Sequence, residues 1–170
     1  MKKIWYLLKC PEGNEEDYVK EYEEAAKPYR GNMSVLQEAI HFQYQRMMRY
    51  KGQWHLEKRA LLPGYIFLSK SENAESESRI RKESEKWGES PRVELYEILY
   101  LKTLCSQENL IEMSRGIIRH GIPIITSGPL QGKEQLIQKI DRHKRTAEIE
   151  IPLEGKKKRI TVGLEIYGKQ

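Results

Sequence analysis

The run Leu61-Leu62-Pro63-Gly64-Tyr65-Ile66-Phe67-Leu68 sets a Pro-Gly pair at the head of an apolar, aromatic-bearing segment. Proline is tolerated at the start of a strand, where a missing ladder donor does no harm, so the segment reads as a β-strand entered through a turn. A similar run, Lys3-Ile4-Trp5-Tyr6-Leu7-Leu8-Lys9-Cys10, has central-strand character and stops at Pro11-Glu12-Gly13. Asn14 can cap the segment that follows, and Glu15, Glu16 and Asp17 suit the positive end of a helix dipole. Tyr18, Tyr22, Ala25/Ala26 and Tyr29 then recur at helical spacing until Pro28 and Gly31 end the helix. From Ala39 the period changes to two. Ile40, Phe42 and Tyr44 alternate with His41, Gln43 and Gln45, and Lys51-Gly52 between two polar arms predicts a long hairpin reaching Arg59.

Ser69 to Ser90 is rich in Ser, Glu and Lys, and its larger apolar residues Ile80 and Trp87 share one helical face, which predicts a weakly packed surface helix or a mobile segment. Residues 93–105 are apolar and fit either a helix or a strand start; the spacing of Leu95 with Ile98/Leu99 favours helix. From Pro123 the pattern is all β: Ile124–Thr126, Leu136–Ile140, Ala147–Ile151, Ile160–Val162 and Leu164–Ile166, separated by a Gly128-Pro129-Leu130-Gln131-Gly132 turn and two basic turns. Five short strands within about fifty residues predict a small barrel, since closure hides the edges of so short a sheet.

Composition narrows the function. With 38% hydrophobic and 32% charged residues in 170, two thin cores are easier to fill than one thick one. The apolar run Ile4–Leu8 is far too short for a membrane span or a signal peptide, and Cys10 and Cys105 make no disulfide framework or metal set, so the chain reads as cytoplasmic, without metal or cofactor and without a membrane partner. Nineteen basic and nineteen acidic residues precede Arg119, whereas eleven basic and six acidic follow from it, so the C-terminal third carries the whole net charge of +5. A separate basic unit with an anionic partner follows, solubility being the plainer alternative. The neutral part is itself polarised, with seven acids between Glu12 and Glu24 and five bases around Glu57. Histidines 41, 55, 120 and 143 are scattered without nucleophile–base spacing, and no phosphate loop is present, so no catalytic residue and no enzyme is expected.

The early Trp5-Tyr6 strand, the Pro63-Gly64-Tyr65-Ile66-Phe67 strand and the terminal Gly128-Pro129-Leu130-x-Gly132 turn, in this order, resemble the NusG family of transcription elongation factors. Within it, Arg46-Met47-Met48-Arg49-Tyr50-Lys51-Gly52-Gln53-Trp54-His55-Leu56 and Glu112-Met113-Ser114-Arg115-Gly116 look most like the LoaP-type specialised paralogues, which act as processive antiterminators on selected operons. The resemblance implies an α+β fold. A NusG N-terminal-like antiparallel sheet flanked by helices would fill 1–106, a linker 107–120, and a small all-β SH3-like KOW barrel 121–170. The chain would act as a monomer.

The resemblance also implies sites. An apolar patch of Trp5, Leu62, Pro63 and Tyr65 would grip the clamp helices of RNA polymerase, as aromatic anchors do at interface centres; Leu62 stands where relatives often carry Phe. The plain alternative for Trp5 and Tyr65 is the core of the sheet. On the hairpin, Arg46, Arg49, Lys51, Lys58 and Arg59 lie among Tyr44, Tyr50, Trp54 and His55, offering phosphate contacts beside ring faces. The implied ligand is upstream or non-template DNA, or an RNA element that recruits the factor; a solvated hairpin touching nothing is the alternative. Phe42 and Gln43 stand where the family usually has Pro and a basic residue. In the barrel, Leu153 and Glu154 occupy the positions that meet Rho or a ribosomal protein, and the carboxylate there departs from the family's apolar residue. Arg142, Lys144, Arg145, Lys156, Lys157 and Lys158 favour an anionic surface instead, RNA above all. Two other readings stand beside this one: a general NusG elongation or termination factor, and a ribosomal-type KOW RNA-binding protein.

Overall fold

The structure, a computed structural model, describes residues 3–26, 36–71 and 91–170. The expected helix end at Pro28 and Gly31, and the helix expected between Ser69 and Ser90, lie outside the described residues apart from Ser69–Ser71. The chain divides into two compact units: Met1–His41 with Leu62–Ile98, and Phe42–Leu61 with Leu99–Gln170. Among the described residues no helix is long and apolar enough to cross a membrane.

In the first unit, β1 (Lys3–Lys9), β2 (Leu36–Ile40), β5 (Tyr65–Ser71) and β6 (Arg92–Val93) form one sheet in the order β2-β5-β1-β6, with every pairing antiparallel. β1 is paired on both edges, and its central residues are buried on both faces, Trp5 and Leu7 on one and Leu8 on the other. On one face Leu8, Cys10, Ile66 and Leu68 pack with Val19 and Tyr22 of α1 (Glu15–Ala26). The register Leu7↔Phe67, Ile40↔Phe67 and Trp5↔Val93 sets a second buried set on the other face. The first helical bond runs from the Tyr18 N–H to the Asn14 carbonyl at 3.1 Å, so α1 starts where the sequence places it.

In the second unit, β3 (Gln43–Tyr50) and β4 (Gln53–Ala60) are the expected hairpin, joined by Lys51 and Gly52 at φ 53° and 73°. Two central residues with positive φ make a type I′ turn, whose twist matches that of the strands it connects. α2 (Leu95–Leu104) bears out the favoured helix, with the short β6 just before it. Residues 107–120, expected as a linker, contain β7 (Leu110–Ile111), which pairs parallel with β3, and β8 (Ser114–Arg119). β9 (Ile122–Ser127), β10 (Ile137–Asp141), β11 (Thr146–Leu153) and β12 (Lys156–Lys169) complete a sheet in the order β10-β11-β12-β8-β9.

Two expectations are corrected here. The segments around Ile160 and Ile166 are one strand, which pairs with β11 through Gly163 and then runs parallel to β8 from Leu164. No pairing between β9 and β10 closes the sheet among the described residues, so a closed barrel is not found. A short 3-10 turn, Glu134–Leu136, touches β9 and β11 instead, and the Glu134 carboxylate accepts the Ile125 N–H at 3.1 Å. The Gly-Pro-Leu turn behaves as its sequence demands. Gly128 has φ 94°, and a Cβ there would stand 2.6 Å from the Met113 carbonyl oxygen. The Leu130 side chain fills the core at 0% exposure while its N–H donates to Ser114 Oγ.

The hairpin is tied to this sheet at Gly163. A side chain there would collide with Met113 Sδ and with the Gln45 carbonyl of β3, while Gln45 Oε1 accepts the Met113 N–H at 3.0 Å. Overpacking of this kind costs roughly 1–3 kcal/mol. Gly163→Val is therefore expected to lower stability by about that amount, read as a lower urea midpoint. An unchanged midpoint would mean that β3 does not press on β12.

Candidate polymerase-binding turn and nucleic-acid interface

The Pro-Gly pair forms a tight turn. The Tyr65 N–H donates to the Leu62 carbonyl at 3.1 Å, with Pro63 and Gly64 central and Gly64 at φ 83°. Proline first and a positive-φ glycine second is the signature of a type II turn. Glu15, at the head of α1, holds it. Glu15 Oε1 accepts the Gly64 N–H at 2.9 Å, and the same carboxylate accepts the Gly13 N–H at 3.0 Å. Burial works against the Glu15 charge, yet the N–H donors of Gly64, Glu15 and Gly13, aided by His41, bring its pKa below the ordinary carboxylate value. His41 lies beside it, lowered by burial against the pull of Glu15 and Glu16. This clamp had no signal beyond the helix-start acids.

The four patch residues fall in different environments. Trp5 and Leu62 are buried at 3% and 7% exposure, whereas Pro63 is exposed and Tyr65 is 37% exposed. Trp5, buried on the sheet face that also carries Leu7 and Phe67, thus takes the core alternative. Of the four, Pro63 and Tyr65 are the ones the turn exposes.

Strand alternation divides the hairpin's bases. Cross-strand partners share a face, so Arg46, Glu57, Arg59 and His55 lie on one side and Arg49, Trp54 and Lys58 on the other. Ion pairs divide them further. Arg59 pairs with Glu57, and Lys58 with Glu108 at 3.9 Å, while Arg46, Arg49 and Lys51 have no ion pair among the described residues. The rings are engaged as well. Tyr50 and His55 stack on each other with centroids 3.7 Å apart. Trp54 carries Arg145 Cζ at 3.9 Å from its centroid and Arg49 Cζ at 5.9 Å. The sequence placed Arg145 and Trp54 in separate sites; the structure brings them together.

The basic turn of residues 142–145 is well anchored. Asp141 Oδ1 accepts the Lys144 N–H at 2.9 Å, a bond that holds the Asp141 carboxylate below its ordinary value, and Arg145 pairs with Glu165 at 3.4 Å. Arg142 and Lys144 are exposed. The second basic turn is another two-residue hairpin, with Glu154 and Gly155 at φ 55° and 71°. Leu153 is buried at 6% exposure, so of the two expected contact residues only Glu154 is exposed, at the tip with Lys156, Lys157 and Lys158. Sequence reasoning missed Lys139, which stands beside Lys144 in a cleft. It sits on a short strand whose period-two pattern carries no charge signal.

No protein-family profile matches this chain, and no curated protein does. Among solved structures it is similar to one described as showing domain interaction in NusG from Thermotoga maritima, with a TM-score of 0.51, 21% identity, and coverage of 96% of this chain and 94% of that one. The fold is NusG-like. Both units take part in that likeness, since nearly the whole chain is aligned.

Removing the Glu15 carboxylate strands the buried Gly64 N–H, and an unmet buried partner costs about 1–3 kcal/mol. Glu15→Ala should lose that much near neutral pH. A lowered carboxyl pKa contributes stability that is present above the ordinary carboxylate range and lost as pH falls through the folded value. The gap between wild type and variant in urea unfolding should therefore narrow on acidification. A gap independent of pH would remove the charge from the clamp.

Proposed function

We propose that this chain is a non-enzymatic transcription elongation factor of NusG type that binds RNA polymerase and promotes processive antitermination at selected operons, in the manner of the LoaP-type paralogues. The observation carrying this reading is the NusG-like fold across 96% of the chain, together with the clamped Pro63-Gly64-Tyr65 turn on its first unit. That turn supplies a rigid, partly exposed aromatic beside an exposed proline, and rigid aromatics bind with little entropy to lose. The clamp helices of the polymerase are the proposed partner. Bridging the polymerase cleft opposes its opening and so suppresses pausing, a task of binding alone that needs no cofactor.

The second unit acts, in this reading, as a KOW-type module for nucleic acid. Arg49, Lys51, Arg142, Lys144 and Lys156–Lys158 are exposed and without an ion pair among the described residues, which leaves them free for phosphates. The ligand is an RNA element or the DNA at the edge of the transcription bubble, and the setting is the cytoplasm. A protein contact through the tip of the β11–β12 hairpin would rest on Glu154 alone.

Tyr65→Ala removes an exposed side chain and leaves the fold intact. It is expected to weaken capture of core RNA polymerase at least about tenfold, the scale of a central interface aromatic. Trp5→Ala cannot serve here, because it opens the core at the same time. Wild-type capture by the Tyr65 variant would sink the polymerase-binding turn.

A further inference from the structure

Where the hairpin meets the terminal sheet, the second unit holds a cleft of about 190 Å³ with Arg46 on one wall and Lys139 and Lys144 on the other. We infer that this cleft seats a backbone phosphate of a nucleic-acid strand, so that the hairpin and the basic turn act as one site and not as two. The inference deepens the nucleic-acid reading above and rests on it.

Three cations converge on one small volume. Like charges gathered this way repel one another unless a counter-charge enters. None of the three has an ion pair among the described residues, and the Arg46 Nε is buried without a hydrogen-bond partner among them. Two acids also line the cleft, but the three cations outnumber them, and Asp141, whose charge is felt by Lys144, and Glu148 each have a bond of their own. Asp141 takes the Lys144 N–H at 2.9 Å, and Glu148 takes Arg159 Nη1 at 3.3 Å. Thr146 and Thr161 also line it, and hydroxyls of this kind can donate to a phosphate oxygen.

The two walls are fixed to each other before any ligand arrives. Arg145 lies over Trp54 at 3.9 Å and pairs with Glu165 at 3.4 Å, and its carbonyl accepts the Leu164 N–H at 3.0 Å. The residue next to Lys144 is thereby locked to the hairpin. Trp54 is spent on this contact, which makes it a positioning residue in place of the base-stacking platform its type suggests. Preorganised cations lose little entropy on binding, and a guanidinium beside an ammonium suits one phosphate.

A double-mutant cycle with Arg46→Gln and Lys144→Gln tests the shared site. The probes are a fluorescent mixed-sequence single-stranded RNA and DNA of the same sequence, titrated by anisotropy at several salt concentrations, with a melting curve for each variant. Each single variant is expected to weaken binding roughly tenfold, as loss of a bond to a charged group does, and the double variant hardly more than either. The salt slope of each single variant should shrink by about 0.7, the value for one single-strand phosphate. Lys139→Gln, in an exposed side chain, should act in the same direction and serves if Arg46→Gln melts early. Loss with the RNA probe assigns the cleft to RNA, and loss with DNA alone to DNA; either supports the site. Strictly additive losses would make the walls two independent sites and overturn it. Unchanged binding by all three variants, with a weakened Arg49→Gln, would overturn the cleft and leave the nucleic-acid reading standing. Absence of salt-dependent binding by the wild type would remove both.

Discussion

The second unit depends on how closely the backbone of β3 can approach β12 at Gly163. Any side chain at that position meets Met113 and the Gln45 carbonyl, so only glycine lets the hairpin lie against the terminal strand. The Gln45 amide oxygen then takes the Met113 N–H, and the short β7 pairs with the base of β3. From this crossing follow the stacking of Arg145 on Trp54 and the cleft lined by Arg46, Lys139 and Lys144. A hairpin free of the sheet would carry its bases as a solvated arm. Held against it, Arg46 faces Lys139 and Lys144 across the cleft.

The first unit rests on a different kind of constraint. A type II turn needs its glycine and gains from its proline, but neither fixes where the turn points. The Glu15 carboxylate does so, by taking one N–H from the turn and one from the loop before α1. The acids at the start of α1 therefore serve more than the helix dipole. One of them, Glu15, buried at 4% exposure, couples the helix to the turn that exposes Pro63 and Tyr65.

Much of the fold was legible from local pattern. Lys51-Gly52 between alternating arms specified the hairpin, and Gly128-Pro129-Leu130 specified a turn, though not that Leu130 would fill the core beneath it. Long-range pairing was not legible. Gly163 looks like a break between two short strands, and only the crossing of β3 gives it its reason. Ser114–Arg119 reads as a connection because its partner, Leu164–Lys169, lies at the far end of the chain and runs parallel to it. Trp5 shows why an aromatic in an apolar strand is ambiguous: core and interface call for the same residue types, and what packs over that face of the sheet decides. Charge was legible in amount but not in grouping, since alternation splits the hairpin bases while Arg145 crosses to Trp54.

On the function proposed above, the Pro63-Gly64-Tyr65 turn and the basic surface of the second unit belong to a factor that travels with the transcription complex. The most direct test is the occupancy of the protein along the genome, measured together with that of RNA polymerase by crosslinking and sequencing. The account predicts that its signal coincides with elongating polymerase, confined to a few operons and extending through their terminators. Signal unrelated to polymerase, or association with ribosomes in place of transcribed DNA, would contradict it.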